Sequence, residues 1–180
     1  AYPSYFAPYI PTAGGTRVLP GPYRIEAIHM RVRGVFTNAA PVDAYRGAGR
    51  PENLFLVQRL IDIAAREFGI DGADMQRRNL VPAAAMPYKN TLGQVYDSGD
   101  FPANLEDALE AADWSGFAAR KERARGRGRL RGIGITCYVD PCAGNRDQYA
   151  SLRFSASGAV QLAIGTQSSG QGHETAFAQI

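Results

Sequence analysis

The sequence predicts an α+β fold of mixed helices and strands. Three observations carry this reading. From Pro51 onward, apolar side chains recur at helical spacing. Ile28, Met30 and Val32 alternate with His29, Arg31 and Arg33, the period of a strand. Further on, two apolar runs flank Ser155-Ala156-Ser157-Gly158, a hairpin signal. The 180 residues are 45% hydrophobic, 10% aromatic and 21% charged, an ordinary globular composition, with enough length to bury a sizeable core in one large domain or two small ones.

Residues 1–22 carry five of the eleven prolines and set Tyr2, Tyr5, Phe6 and Tyr9 among them, so an extended, irregular lead-in is expected. Residues 23–36 follow as a half-buried strand. Residues 38–50 form a loop, and Pro51 opens the strongest helix, with Glu52 complementing the dipole. Leu54, Val57, Ile61, Ala64 and Phe68 make one stripe; Leu56, Leu60 and Ile63 widen it, so a well-buried helix ending at Gly69 is expected. A short helix follows Asp71 and runs to Asn79. Residues 81–100 are loop-rich. Leu105, Ala108, Leu109 and Ala112 mark a further helix, and Ser115 is placed to cap one more. Residues 130–139 are apolar and partly β-branched, favouring strand. The boundary is expected in the glycine- and arginine-rich stretch 126–132.

Composition and motifs narrow the function classes. The net charge of +3 comes with a cluster of Arg120, Lys121, Arg123, Arg125, Arg127, Arg129 and Arg131. No aromatic residues interleave with it to stack on bases, so a solvated helix end or linker is preferred to nucleic-acid binding. No run of about 18 apolar residues exists, so no membrane span is expected. Cys137 and Cys142 lack a second ligand pair, and His29 and His173 stand far from them; reduced thiols in a cytoplasmic protein are the better reading than zinc. There is no P-loop, no Gly-x-Ser-x-Gly elbow, and Gly132-Ile133-Gly134 lacks the third small residue of a dinucleotide fingerprint. Glu106, Asp107 and Glu110 follow helical spacing on an exposed face, where solvation explains them. The first residues lack an initiator Met and a signal-peptide layout, so the sequence reads as a piece of a longer protein.

Two loops could carry chemistry. Ala44-Tyr45-Arg46-Gly47-Ala48-Gly49-Arg50-Pro51-Glu52 sets closely spaced glycines before a helix start, with Arg46 and Arg50 as donors to an oxyanion or phosphate. The alternative is a tight left-handed turn with the arginines in surface ion pairs. Gly170-Gln171-Gly172-His173-Glu174-Thr175 has the same plan. Gln171 offers a donor and an acceptor, and the backbone at Gly172 and His173 could face an anion. His173 reads as a hydrogen-bonding or capping residue rather than as a base, and Thr175 as a helix-start hydroxyl.

Together these loops resemble those of the molybdenum hydroxylases, the large subunits of xanthine dehydrogenase, aldehyde oxidase and carbon monoxide dehydrogenase. The first loop is similar to that family's active-site loop and the second to its molybdopterin-contacting loop. Arg77-Arg78-Asn79-Leu80, Met86-Pro87-Tyr88, Tyr96-Asp97-Ser98-Gly99-Asp100 and Arg131-Gly132-Ile133-Gly134 fit the same pattern in matching order. The resemblance covers essentially the whole chain.

The resemblance implies a fragment of the two-part molybdopterin-binding domain: residues 1–126 in the first subdomain and 127–180 at the start of the second. It implies hydroxylation of an aldehyde, N-heterocycle or similar small molecule with water-derived oxygen. Molybdopterin would be in its cytosine dinucleotide form, and iron–sulfur and flavin subunits or domains would take the electrons. Tyr45, Arg46, Gly47, Ala48 and Gly49 would line the substrate pocket. Arg46, Gly170, Gln171, Gly172, His173 and Thr175 would contact the cofactor, with the metal held by the pterin dithiolene and not by side chains. The family's glutamate base would lie beyond Ile180, so the stretch alone is expected to be inactive, with no cofactor bound and residues 170–180 poorly ordered or differently packed. Gly47 stands where the copper-containing carbon monoxide dehydrogenases carry the copper-binding cysteine, and Gly49 where they carry an aromatic. That resembles the second form of the family and argues against copper-dependent chemistry and purine stacking. A non-catalytic, self-associating module and nucleic-acid binding through residues 120–131 are the other classes.

Overall fold

The structure is a computed structural model that describes residues 9–40, 43–140, 148–168 and 170–180. Expectations for Tyr2, Tyr5, Phe6 and Cys142 lie outside the described residues. Two compact units are present, Ala1–Asp140 and Pro141–Ile180.

In the first unit the lead-in is not irregular throughout. Ile10–Gly14 makes one π-helical turn and Thr16–Val18 a 3-10 turn, with Ile10 and Val18 buried. Pro11 sits in the first turn of the former, where a missing N–H costs no hydrogen bond.

Four helices follow: α1 (Arg50–Glu67), α2 (Gly72–Asn79), α3 (Phe101–Ala111) and α4 (Phe117–Arg125). Local chemistry sets their ends. Gly69, at φ 63°, terminates α1. The Asp71 carboxylate accepts from Ala73 N at 2.9 Å and caps α2; Asp100 does the same for α3 through Ala103 N at 3.0 Å. Ser115 does not cap α4. Gly116 holds that position without a side-chain cap, and Asp113 Oδ1 accepts from its N–H. A two-residue ladder pairs β1 (Tyr88–Lys89) with β2 (Val95–Tyr96) within the loop-rich stretch. Buried Asn90 organises that stretch, donating to Arg17 O and Tyr96 Oη and accepting from Leu92 N and Gln94 N.

The core joins Tyr23, Val57, Ala73, Leu80, Leu105 and Leu109, with Ile61, Trp114 and Ile135 against it. α1 contributes a narrower face than its periodicity suggests: Leu54 and Val57 are buried, but Leu56, Leu60, Ile63 and Phe68 are exposed. Periodicity marks which sides of a helix are apolar, not which side a neighbour covers.

Two expected strands are absent. In residues 23–36 only Tyr23 pairs, in a single bridge to Leu80, and Val35 and Phe36 are exposed. Residues 130–139 also form no strand. Alternating residues make a strand only where another backbone supplies the ladder, and glutamine side chains do that work here. Gln76 donates from Nε2 to Ile135 O at 3.0 Å and accepts at Oε1 from Cys137 N at 3.0 Å. Gln58 donates to Cys137 O at 2.5 Å. Tyr23, whose hydroxyl donates to Gln76 Oε1 and accepts from Gln58 Nε2, closes the network.

The second unit holds the expected hairpin, β3 (Ala150–Phe154) antiparallel to β4 (Val160–Ile164), with Phe154 opposite Val160. Its turn closes through Gly158 N to Ser155 O at 3.0 Å. Within residues 170–180, α5 (His173–Gln179) forms, with no buried residues.

Candidate functional site

The first candidate loop is a run of three left-handed residues: Gly47 at φ 98°, Ala48 at 46° and Gly49 at 89°. Ala48 N donates to Tyr45 O at 2.7 Å and Arg50 N to Gly47 O at 3.0 Å, so two successive tight turns deliver the chain into α1. Asn53 Nδ2 donates back to Gly49 O at 2.8 Å, fixing the turn from within the helix. Glycine is required here on two counts. A Cβ at Gly47 would lie 2.6 Å from the Pro51 ring, and one at Gly49 would strike Ile10 O and come within 3.1 Å of Gly15 N. Gly49 is buried against this backbone.

Gly14 and Gly15 are the residues sequence reading missed. A Cβ on Gly14 would strike Ala48 O, and one on Gly15 would strike Gly49 O. The turn at 10–15 is therefore the seat of the 47–49 turn, backbone on backbone. The paired glycines were the available signal.

At the loop's apex Tyr45 is 88% exposed and Arg46 is exposed as well. Arg50, also suggested for an anion, is held by a carboxylate: its Nη1 lies 2.6 Å from Asp140 Oδ1.

The second candidate loop lies in the other unit. Gly170 and Gly172 are left-handed at φ 89° and 73°, and Gly172 is the N-cap of α5. Among the described residues nothing lies within 4 Å of where a Cβ at Gly172 would be. Gln171 is exposed, its Nε2 3.3 Å from Gln167 O. His173 stacks at a tilt on Phe177, ring centroids 5.0 Å apart, as a local packing contact on one helix face. Thr175 N donates to Gly172 O at 3.1 Å, and the residue is exposed. The structure thus brings together residues 45–49 in one turn and residues 170–175 in another.

Other candidates have structural roles. Glu106, expected to be merely solvated, accepts a two-pronged contact from Arg77, at 2.5 Å and 3.1 Å; that hydrogen bond holds its carboxyl below the usual range. In the basic run, Arg120 pairs with Asp113 and donates to Ala112 O, whereas Lys121, Arg123, Arg125, Arg127, Arg129 and Arg131 are exposed. Cys137 is half-buried and burial pushes its thiol pKa up, opposite to the shift that activates a nucleophile. Among the described residues no group of His, Cys, Asp and Glu side chains could hold a metal ion, and no helix is long and apolar enough to cross a membrane.

Comparison with known proteins bears on both loops. Two models of molybdopterin cofactor-binding domains match, one over residues 1–80 and the other over residues 107–180. The chain is 37% identical to the 6-hydroxypseudooxynicotine dehydrogenase complex subunit gamma of Paenarthrobacter nicotinovorans, covering 89% of this chain and 21% of that protein. It is 30% identical to the carbon monoxide dehydrogenase large chain of Hydrogenophaga pseudoflava, covering 93% and 23%. Among solved structures, quinoline 2-oxidoreductase from Pseudomonas putida 86 superposes with a TM-score of 0.76 at 31% identity, over 94% of this chain and 23% of that one. The chain therefore spans about a fifth of the length of the curated relatives it matches. Each of the two glycine loops falls inside one of the matched domains, and the chain belongs to the molybdopterin cofactor-binding domains of the molybdenum hydroxylase large subunits.

Proposed function

We propose that this chain supplies part of the cofactor and substrate site of a molybdenum-dependent hydroxylase or dehydrogenase. The observation that carries the proposal is the pair of left-handed glycine turns, one within each matched molybdopterin cofactor-binding domain. Tyr45, Arg46, Gly47, Ala48 and Gly49 form the substrate-side loop, with Gly49 acting through backbone packing. Arg46, Gly170, Gln171, Gly172, His173 and Thr175 contact the pterin or its phosphate. Residues 1–126 and 127–180 are assigned to the first and second molybdopterin-binding subdomains.

The residues present suit such a group. Gln171 is exposed next to Gly172, and its amide carries the donor and acceptor types that suit a pterin edge or phosphate ester. The absence of a metal-binding side-chain cluster among the described residues suits a metal held by the cofactor's own sulfurs. When bound, the group supplies two-electron oxidation of a carbon centre with water-derived oxygen. This chain's residues bind and orient. The two loops would hold the cofactor, and Arg46 would offer a fixed positive charge to an anionic group. We assign the cofactor to the cytosine dinucleotide form, the electron acceptors to iron–sulfur and flavin subunits, and the setting to the cytoplasm.

For the substrate we propose an N-heterocycle or aldehyde. The names of three relatives, nicotine 6-hydroxylase, nicotinate hydroxylase and quinoline 2-oxidoreductase, support a nitrogen heteroaromatic. Gly47 has no side chain to ligate copper, which separates this site from the copper-dependent oxidation of carbon monoxide. The test is Gln171→Ala in the intact, matured protein. Loss of its paired donor and acceptor lowers molybdenum and pterin occupancy; unchanged occupancy refutes the assignment.

A further inference from the structure

We infer that Asp140 is a positioning residue for the 45–49 loop, acting through Arg50. The inference rests on the functional reading of that loop given above. Arg50 is the first residue of α1 and follows Gly49 directly, so its side chain is the first group able to tie the left-handed turn to another part of the chain. It does so across 90 positions of sequence, with Nη1 2.6 Å from Asp140 Oδ1.

Helix electrostatics make the same point independently. A cation at a helix N-terminus faces the positive end of the dipole and is disfavoured there. The Asp140 carboxylate offsets this, neutralising Arg50 and placing negative charge where α1 favours it.

Asp140 is itself carried on a secured segment. Cys137 O accepts from Gln58, about two turns further along the helix that Arg50 opens, and Cys137 N donates to Gln76 on α2. The helix thus grips the 135–140 run at Gln58 and at Arg50. The 47–49 turn is held on one wall by Gly14 and Gly15 and on the other by this ion pair. With both walls in place, Tyr45 and Arg46 stand at the exposed apex of a fixed turn.

The experiment is hydrogen exchange on the intact, matured protein with Asp140→Asn. The pair is partly exposed, 25% for Arg50 and 46% for Asp140, so the effect is that of a surface ion pair. Exchange in residues 44–50 should rise about three- to five-fold, while exchange in the middle of α1 and the molybdenum content stay unchanged. Asp140→Glu should retain protection, and the exchanged pair Arg50→Asp with Asp140→Arg should restore it. Unchanged exchange in residues 44–50, or a rise spread evenly over α1 and the core, overturns the inference. Absence of molybdenum from the wild-type protein would defeat the functional reading instead, and leaves the loop result to be read on its own.

Discussion

Replacing Gln76 by Leu tests the glutamine clasp that substitutes for a strand partner. Gln76 is 1% exposed, and its side chain makes three hydrogen bonds: from Tyr23 Oη at 3.1 Å, from Cys137 N at 3.0 Å and to Ile135 O at 3.0 Å. Leucine keeps most of the volume and removes all three. Each bond contributes about 1–1.5 kcal/mol, giving a loss of roughly 3–4.5 kcal/mol. Burying an apolar side chain instead recovers about 1–2 kcal/mol. The net destabilisation is about 2 kcal/mol, and it is local. The Cys137 amide loses the partner whose breakage limits its exchange, so its rate should rise about five- to twelve-fold, the equivalent of 1–1.5 kcal/mol. Hydrogen exchange with mass spectrometry on peptides spanning residues 130–140 reads this directly, and the Cys137 thiol should react faster with a disulfide reagent. Unchanged exchange across 135–138 would refute the clasp. A uniform rise over the whole unit would show Gln76 to be merely a packing residue.

The glycine seat gives a sharp contrast. Gly15→Ala drives a methyl into Gly49 O and to 2.7 Å from Arg50 N, backbone atoms that cannot step aside, and should cost more than about 2 kcal/mol in denaturant unfolding. Gly34→Ala meets nothing within 4 Å among the described residues and should stay within about 0.5 kcal/mol of wild type. Equal effects would contradict the seat. Alkaline stability follows from Tyr23, whose pKa is raised mainly by burial, and from Tyr96, shifted the same way for the same reason. In the unfolded chain both phenols ionise near the ordinary value of about 10, while the folded protein keeps their protons. Stability is therefore fully present below about pH 10 and falls as pH rises toward the folded values, by up to about 1.4 kcal/mol per pH unit for each tyrosine. Tyr23→Phe should flatten part of that slope; an identical slope in the variant would discount the buried phenol.

Much of the fold was legible because its signals are local. Pro51 and Gly69 bracket α1, Asp71 caps α2, and the 155–158 turn forms the hairpin, each from residues within a few positions of one another. What failed was non-local. The alternation in 23–36 and the β-branched residues of 130–139 state a preference, but a strand needs a partner backbone. Nothing in the sequence distinguishes Gln58 and Gln76 from solvated helical glutamines. The exposed apolar face of α1 has the same origin, since periodicity gives the face and not the neighbour. At the candidate site, residues 44–52 and 170–175 stood out through closely spaced glycines before a helix. Their supports did not, because Gly14, Gly15 and Asp140 meet the first loop from 34 to 90 residues away.

The central claim is that this chain forms part of a molybdopterin site, and the most direct measurement is the molybdenum and pterin content of the purified, intact protein after full maturation. Stoichiometric molybdenum and a pterin released with its cytosine nucleotide are the expected result. A correctly matured protein containing neither molybdenum nor pterin would contradict it.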